Sequence, residues 1–416
     1  MTTKIKRTQL LEIFTLLFII LTFHMDVNFA EYFFPNLYSW KELMISYEGG
    51  FIRRGLLGEF FYLADNFISI TILAPILFLL CFIFITVTIF NQANELKLPT
   101  VILVAILFSP TLILFNLHFN IHFMRKEILI YVGMLILGLF LSRNKKTQSI
   151  KFSFFALTII SFLSFLLLTL IYETTLVWIP FICYLIYGSF SSDVSMKKKC
   201  TQTFFFGFIL FLTWSIIVLP FKGDLNSALA IYRSWHSKYQ SLKLEGADPF
   251  YFLSISSNPS ATASEIKRYL MNPKLWLNTL FMYAYSLLPF IYILYTNNVS
   301  VKKEFIIFNK KITIFLMFLI SACPLILCLV GFTFGRWVSF TNFILLFLFF
   351  FCLEPNKQTH NNYTTLAKTV LWSACLLYIN VIGFNFNTIG EEQNMFYWFN
   401  FRYVYQQLIT LSFIPY

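Results

Sequence analysis

Charged residues are scarce in this chain: they make up 12% of its 416 residues, whereas 58% are hydrophobic. A soluble domain carries about 25% charged residues, so this scarcity excludes an ordinary soluble protein. A membrane span needs about 20 apolar residues, which leaves room for roughly ten to twelve spans. We therefore predict an all-α polytopic integral membrane protein, with residues 1–416 forming a single domain in a lipid bilayer.

Cysteine motifs, internal repeats and Pro- or Gly-rich linkers are also missing. The seven cysteines show neither metal-ligand spacing nor a redox pair, and all but Cys200 fall inside apolar runs, so we interpret them as packing residues. The net charge of +12 would suggest nucleic acid in a soluble protein, but lysines accumulate on the cytoplasmic side of membrane proteins. We expect no nucleic-acid partner, no metal and no cofactor.

The apolar runs predict about eleven transmembrane helices with a cytoplasmic N-terminus. A break is expected at Tyr172-Glu173-Thr174, because one helix through both flanking runs would far exceed the bilayer. Two larger external (periplasmic) loops result, at residues 25–66 and 222–274; the second carries aromatic and polar groups that fit either sugar contacts or the surface of a cap. The runs lie at about 13–24, 67–90, 101–119, 128–142, 153–171, 175–190, 203–221, 276–296, 312–332, 338–353 and 369–386.

Lysine and arginine are distributed differently over this topology. Every proposed inside loop contains at least one lysine, as the positive-inside rule requires. Most arginines fall outside instead, which that rule does not explain. The planar, permanently charged guanidinium matches phosphate or carboxylate oxygens, so we interpret the external arginines as binding residues. They are Arg53, Arg54, Arg125, Arg233, Arg268, Arg336 and Arg402.

The densest motif is the segment 47–59, which reads YEGGFIRRGLLGE. Its glycines allow backbone conformations that expose N–H groups to an anion. Arg53 and Arg54 cannot face the same way on a helix, so we expect one to bind ligand and the other to pair with Glu48 or Glu59. The alternative is an interfacial helix whose arginines meet lipid headgroups.

Three further motifs precede or follow apolar runs. The triplet Arg125-Lys126-Glu127 is either a binding site or a salt-bridged loop. A carboxylate at position 173 costs free energy at membrane depth unless it pairs with a cation or contacts water, but costs little at an exposed turn. Arg336 and Trp337 suit a sugar contact or an interface anchor equally well. Since the topology puts all four motifs on one external face, we predict a shared pocket for a diphosphate-linked glycolipid.

Together these motifs resemble a group of bacterial multi-span proteins found with surface-polysaccharide synthesis, of the O-antigen polymerase type. In that group the glutamate at position 173 often follows a His, where this chain has Tyr172. The arginine motif near 336 often follows Asp-Trp, where this chain has Thr333 and Phe334. The resemblance rests on about 25 residues, although the span pattern extends along most of the chain.

The resemblance implies glycosyl transfer between two undecaprenyl-diphosphate-linked oligosaccharides at the periplasmic face of the bacterial inner membrane. Glu48, Glu127 or Glu173 would act as the catalytic acid or base. Arg53, Arg54, Arg125, Lys126, Arg336 and Trp337 would bind the diphosphate and sugar. The resemblance also implies a chain-length regulator and a flippase as partners.

Two other functions fit the sequence. A GT-C-type glycosyltransferase uses a polyprenyl-phosphate sugar donor and often has an acid in its first external loop, where this chain has Asp26 and Glu48. A flippase or other transporter would more often show internal repeats and ionisable residues near the middle of the bilayer, neither of which is evident here.

Overall fold

The computed structural model describes residues 12–13, 15–17, 19–20, 34–36, 38–98, 102–103, 106, 124–143, 154–190, 194–244, 283–284, 287–295, 299–329 and 334–355. The predicted span at 369–386 lies outside these residues, as do Asp26, most of the span at 101–119, about half of the spans at 13–24 and 276–296, and the loop beyond residue 244.

The described chain is helical apart from one short pair of strands. The α-helices are α1 Tyr38–Leu43, α2 Gly55–Ala64, α3 Ile70–Glu95, α4 Lys126–Arg143, α5 Phe154–Ile171, α6 Ile179–Ser189, α7 Met196–Val218, α8 Leu225–Lys238, α9 Leu288–Tyr295, α10 Lys310–Ala322 and α11 Phe334–Cys352. The 3₁₀ turns are Tyr47–Gly49, Glu173–Trp178, Lys303–Phe305 and Cys323–Leu329, and the strands are β1 Val299–Val301 and β2 Leu353–Pro355.

Four helical stretches within the described residues are long and apolar enough to cross a membrane. They are α3, α5, α7 and the stretch Lys310–Leu327, which joins α10 to most of the following 3₁₀ turn. The protein is therefore a helical membrane protein, as its composition predicts. The finer count of eleven spans stays a prediction.

Polar residues at the helix starts explain several of these boundaries. The side chain of Ser69 accepts a hydrogen bond from the Thr71 amide at the start of α3, and Ser195 accepts one from Lys198 at the start of α7. Such caps satisfy amides that the first turn leaves without a partner. The break expected near residue 172 is present, since α5 ends at Ile171 and a 3₁₀ turn leads into α6.

Helix α11 lies at the centre of the packing. Residues 337–353 are all buried, as expected for a helix that is apolar on every side. Tyr131 of α4 stacks on Phe343 with ring centroids 3.9 Å apart, and Trp178 lies 5.9 Å from Phe347. Helix α7, by contrast, leaves Phe204 and Ile216 largely exposed, which suits a position against lipid.

The helices alternate in direction, so their ends gather at two opposite ends of the bundle. The arginine end holds Arg54, the start of α4 at Lys126 and the residue Glu173. The Lys302 end holds the ends of α6 and α11, where β1 pairs antiparallel with β2 and the Lys302 amide donates to the Cys352 carbonyl at 2.9 Å.

The segments that carry α1, α2 and α8 pack on one another at the arginine end. The Trp235 indole donates to the Met44 carbonyl at 2.7 Å, and the Lys41 ammonium donates to the Lys243 carbonyl at 2.7 Å. A Cβ at Gly49 would overlap the backbone of Ser227, so this approach requires glycine. Trp235 is therefore part of an internal contact between the two segments rather than an exposed sugar-contacting surface.

Candidate functional site

Arg54 adopts an unusual backbone conformation at the start of α2. It has φ 69° and ψ 3°, the left-handed region that costs a non-glycine residue on the order of 1 kcal/mol. Neighbouring chain segments hold it there: the Arg53 amide donates to the Phe221 carbonyl at 2.8 Å, and the Lys126 ammonium donates to the Arg54 carbonyl at 2.7 Å.

The Arg54 side chain forms a bidentate ion pair with Glu173. Its Nε donates to Glu173 Oε2 at 2.5 Å, and its Nη2 donates to Glu173 Oε1. The guanidinium carbon also lies 5.0 Å from the centre of the Tyr172 ring, within range of a cation–π interaction. The fork-to-carboxylate geometry is the strongest arrangement available to this pair.

The partner of Arg54 differs from the one expected. The sequence suggested Glu48 or Glu59, but Glu48 is exposed and Glu59 accepts a hydrogen bond from the Tyr47 amide at 2.9 Å. Proximity along the chain favoured those two acids. The fold instead brings in Glu173, which is 119 positions away.

Glu173 is held in its ionised form by this environment. Burial alone would raise the pKa of its carboxyl group, but the positive charges of Arg54 and then Arg53 outweigh burial and lower the pKa to about 2. The Trp214 indole fixes the same residue through its backbone, donating to the Glu173 carbonyl at 2.6 Å.

Glu42 is a further member of this cluster that sequence reasoning missed. Its buried carboxylate lies between two arginines, with Oε1 3.9 Å from Arg54 Nη1 and Oε2 3.8 Å from Arg125 Nη1. The residue belongs to the short α1 and to none of the four motifs. An acid inside an apolar stretch was the one available signal.

The triplet Arg125-Lys126-Glu127 is buried in the same cluster. Lys126 lies within electrostatic range of Glu42 and Arg54, and Glu127 within range of Glu42 and Arg125. Three of the four motifs therefore meet at one place, which is the grouping the topology predicted. Its charged members are Arg53, Arg54, Arg125 and Lys126 with Glu42, Glu127 and Glu173, and we call this set the charge cluster.

Arg53 differs from its neighbour. Its side chain is only partly exposed and lies in electrostatic range of Glu173. Its buried Nε has no hydrogen-bond partner among the residues that the structure describes. Arg53 thus keeps hydrogen-bonding capacity at its Nε, while the Nε and Nη2 of Arg54 donate to Glu173.

The fourth motif is only partly described. Trp337 is buried, with its ring 5.8 Å from that of Phe340, so it packs in the aromatic core rather than standing exposed at a sugar-binding surface. The Arg336 side chain lies outside the described residues. Among the residues described, no group of three or more His, Cys, Asp or Glu side chains could hold a metal ion.

No protein-family model, curated protein or solved structure matches this chain.

Proposed function

We propose that the protein is a membrane glycosyltransferase that polymerises oligosaccharide units carried on undecaprenyl diphosphate. A hydroxyl oxygen of the acceptor sugar would attack the anomeric carbon of the donor. The bond from that carbon to the diphosphate oxygen would break, so that the diphosphate leaves with its lipid, and the hydroxyl proton would pass to a carboxylate. Surface polysaccharides such as O-antigen are the product class that this chemistry gives.

The observation that carries the proposal is the composition of the charge cluster. By formal charge, it sets four cations against three carboxylates at one end of the bundle, which leaves one positive charge in excess. A buried excess cation is costly without a counter-charge. A diphosphate would supply that charge and would accept a hydrogen bond from the Nε of Arg53, which has no partner among the described residues.

The geometry supports different roles for the three predicted catalytic acids, Glu48, Glu127 and Glu173. Both oxygens of Glu173 accept from Arg54 and its pKa is about 2, which makes this carboxylate a poor proton acceptor. We therefore assign Glu173 to holding Arg54. Glu127 inside the cluster and Glu48 on the exposed turn beside it are the remaining candidates for the base.

A GT-C-type glycosyltransferase is the second candidate. Glu48 favours it, since this acid is exposed on the turn that packs against α8, within the predicted first external loop. The donor separates the two functions: a diphosphate-linked oligosaccharide supports the polymerase, and a monophosphate-linked single sugar supports the alternative. A chain-length regulator and a flippase stay proposed partners of the polymerase.

The test is deletion of the gene followed by electrophoresis of the cell's lipopolysaccharide. Loss of the long ladder with the core-plus-one-unit band retained supports a polymerase. Loss of every band that bears a repeat unit would contradict it and point to an assembly transferase or a flippase.

A substitution then tests the role of Arg53. Arg53→Gln should lower polymerisation by between about tenfold and about a hundredfold, the value of one charge-assisted hydrogen bond. Protein amount and thermal stability should stay near wild type, because the Nε of Arg53 holds no hydrogen bond to another described residue. Lys198→Gln, at an exposed lysine of α7 that is not among the predicted binding residues, is the control. A normal lipopolysaccharide ladder from cells with Arg53→Gln would contradict the role of Arg53 in binding the diphosphate.

A further inference from the structure

Helix α2 leaves an apolar face exposed next to the arginine pair. Leu57, Gly58 and Phe61 are buried against the rest of the protein. The opposite face exposes Phe60 and Leu63, and the turn that follows exposes Phe67, at 89% of its surface, and Ile68. A soluble surface rarely presents large apolar side chains in such a continuous group.

The exposed faces of α2 and α8 are opposite in character. Both helices belong to the segments packed at the arginine end, but α8 exposes only one large apolar side chain, Leu225 at its first position, and beyond it exposes the polar residues Asn226, Arg233 and Ser237. The apolar face of α2 is therefore not a general feature of this end of the protein. The exposed apolar side chains mark the side of the arginine end on which α2 lies as different from the side on which α8 lies.

The apolar face continues into a helix that can cross the membrane. Helix α3 begins at Ile70, two residues after Ile68, and exposes Ile72, Ile76 and Leu80 on successive turns. Residues four apart share one face of a helix, so these three form a stripe suited to lipid chains. The exposed residues of α2 and its turn therefore join a surface that the bilayer covers.

The one charged residue of α2 is compatible with this position. Glu59 accepts a hydrogen bond from the Tyr47 amide at 2.9 Å, which turns its carboxylate toward the protein. Arg54 at the start of the helix is engaged by Glu173. The helix thus presents apolar side chains outward and directs its charges inward.

We propose that α2 and the turn after it are embedded in the membrane interface, with Phe60, Leu63 and Phe67 in contact with phospholipid acyl chains. An amphipathic helix in this setting lies with its apolar face about 5–10 Å into the boundary between headgroups and chains. The arginine pair at its start then lies at the depth of the lipid phosphates. The occupant of the apolar face is the bilayer itself, and the inference does not depend on the proposed enzymatic activity.

The experiment places a photo-crosslinking benzoylphenylalanine at single positions of the full-length protein in phosphatidylethanolamine–phosphatidylglycerol vesicles. After irradiation, mass spectrometry measures the yield of phospholipid adduct. Phe67 and Phe60 are the test positions, Ile76 in α3 is the positive reference, and Arg233 in α8 is the matched exposed position on the polar helix.

We expect adduct yields at Phe60 and Phe67 within about twofold of that at Ile76, and about tenfold above that at Arg233, since only an inserted face meets acyl chains. Yields equal to that at Arg233, with the Ile76 adduct retained, would overturn the proposal. A crosslink to a second copy of the chain in place of lipid would also overturn it. Phe67 is almost fully exposed, so its replacement leaves the core intact.

Discussion

The two ends of the helical bundle hold their polar groups in different ways. At the arginine end, charged side chains engage one another, as in the pair of Arg54 with Glu173, in addition to bonds to the backbone such as that of Lys126 to the Arg54 carbonyl. At the Lys302 end, polar side chains bond to the backbone: the Tyr184 hydroxyl donates to the Phe305 carbonyl at 2.9 Å, and Lys302 donates to the Phe351 carbonyl at 2.6 Å.

This difference separates a structural end from an end that can bind. A backbone carbonyl bonded to a side chain keeps its position as long as the fold persists, so the Lys302 end stabilises one arrangement. Charges that balance only one another respond to an incoming charged ligand, because a new anion changes which pairs are favourable. The Lys302 end should therefore matter for stability, and the arginine end for both stability and ligand binding.

The largest expected effect comes from breaking the pair at the arginine end. Arg54→Ala should lower the free energy of unfolding by about 3 kcal/mol, because the largely buried Glu173 carboxylate loses the guanidinium that pairs with both of its oxygens. Chemical unfolding in detergent measures this change. Glu173→Gln in the same background should recover part of the loss, because the uncompensated charge disappears.

The control for that experiment is Arg233→Ala, an exposed arginine outside the charge cluster, for which we expect a change near zero. Strictly additive losses in the double variant would show that Arg54 and Glu173 do not act on each other. In that case the arginine end, like the Lys302 end, would lack charged side chains that stabilise one another.

A smaller effect is expected from Lys302→Met. This change removes the hydrogen bond to the Phe351 carbonyl, a charge-assisted bond worth about 2 kcal/mol. Polymerisation by the protein that remains folded should be unchanged, because Lys302 lies at the opposite end of the bundle from the charge cluster. Lys303→Met is the matched control at the neighbouring exposed lysine. A fall in activity per folded molecule would contradict the conclusion that the Lys302 end contributes to stability and not to ligand binding.

A further effect concerns pH. The pKa of Glu173 is lowered from 4.5 to about 2, so the folded state favours the ionised form. Its contribution to stability is fully present above about pH 4.5 and is lost as the pH falls toward 2. The difference in unfolding free energy between wild type and Glu173→Gln should therefore stay constant from pH 8 to about pH 5 and shrink below about pH 4. A difference that does not shrink as the pH falls from 5 toward 3 would contradict the ion pair.

The amino-acid sequence predicted what depends on local composition. Hydropathy indicated the helices α3, α5 and α7, and the short polar segment at Tyr172-Glu173 indicated the break between α5 and α6. The predicted topology placed Arg54, Lys126 and Glu173 on one face, and the structure brings these three residues together.

Contacts between distant segments could not be predicted in the same way. Nothing local marks Glu42 as the carboxylate between Arg54 and Arg125, because that position depends on how α1 packs. Trp337 follows an arginine and resembles an interface anchor, but the surrounding aromatic rings of α11 bury it. In both cases tertiary packing, rather than the motif, decides the environment of the side chain.

The contact between Lys41 and Lys243 joins positions that are 202 residues apart. The contact brings α1 next to the segment that follows α8, so both residues lie at the arginine end although α2 to α8 separate them in the sequence. A chain severed at residues 191–193, between α6 and α7, would still have its two fragments held together there by the Trp235 and Lys41 hydrogen bonds. The packed segments therefore join parts of the chain that lie on either side of residues 191–193.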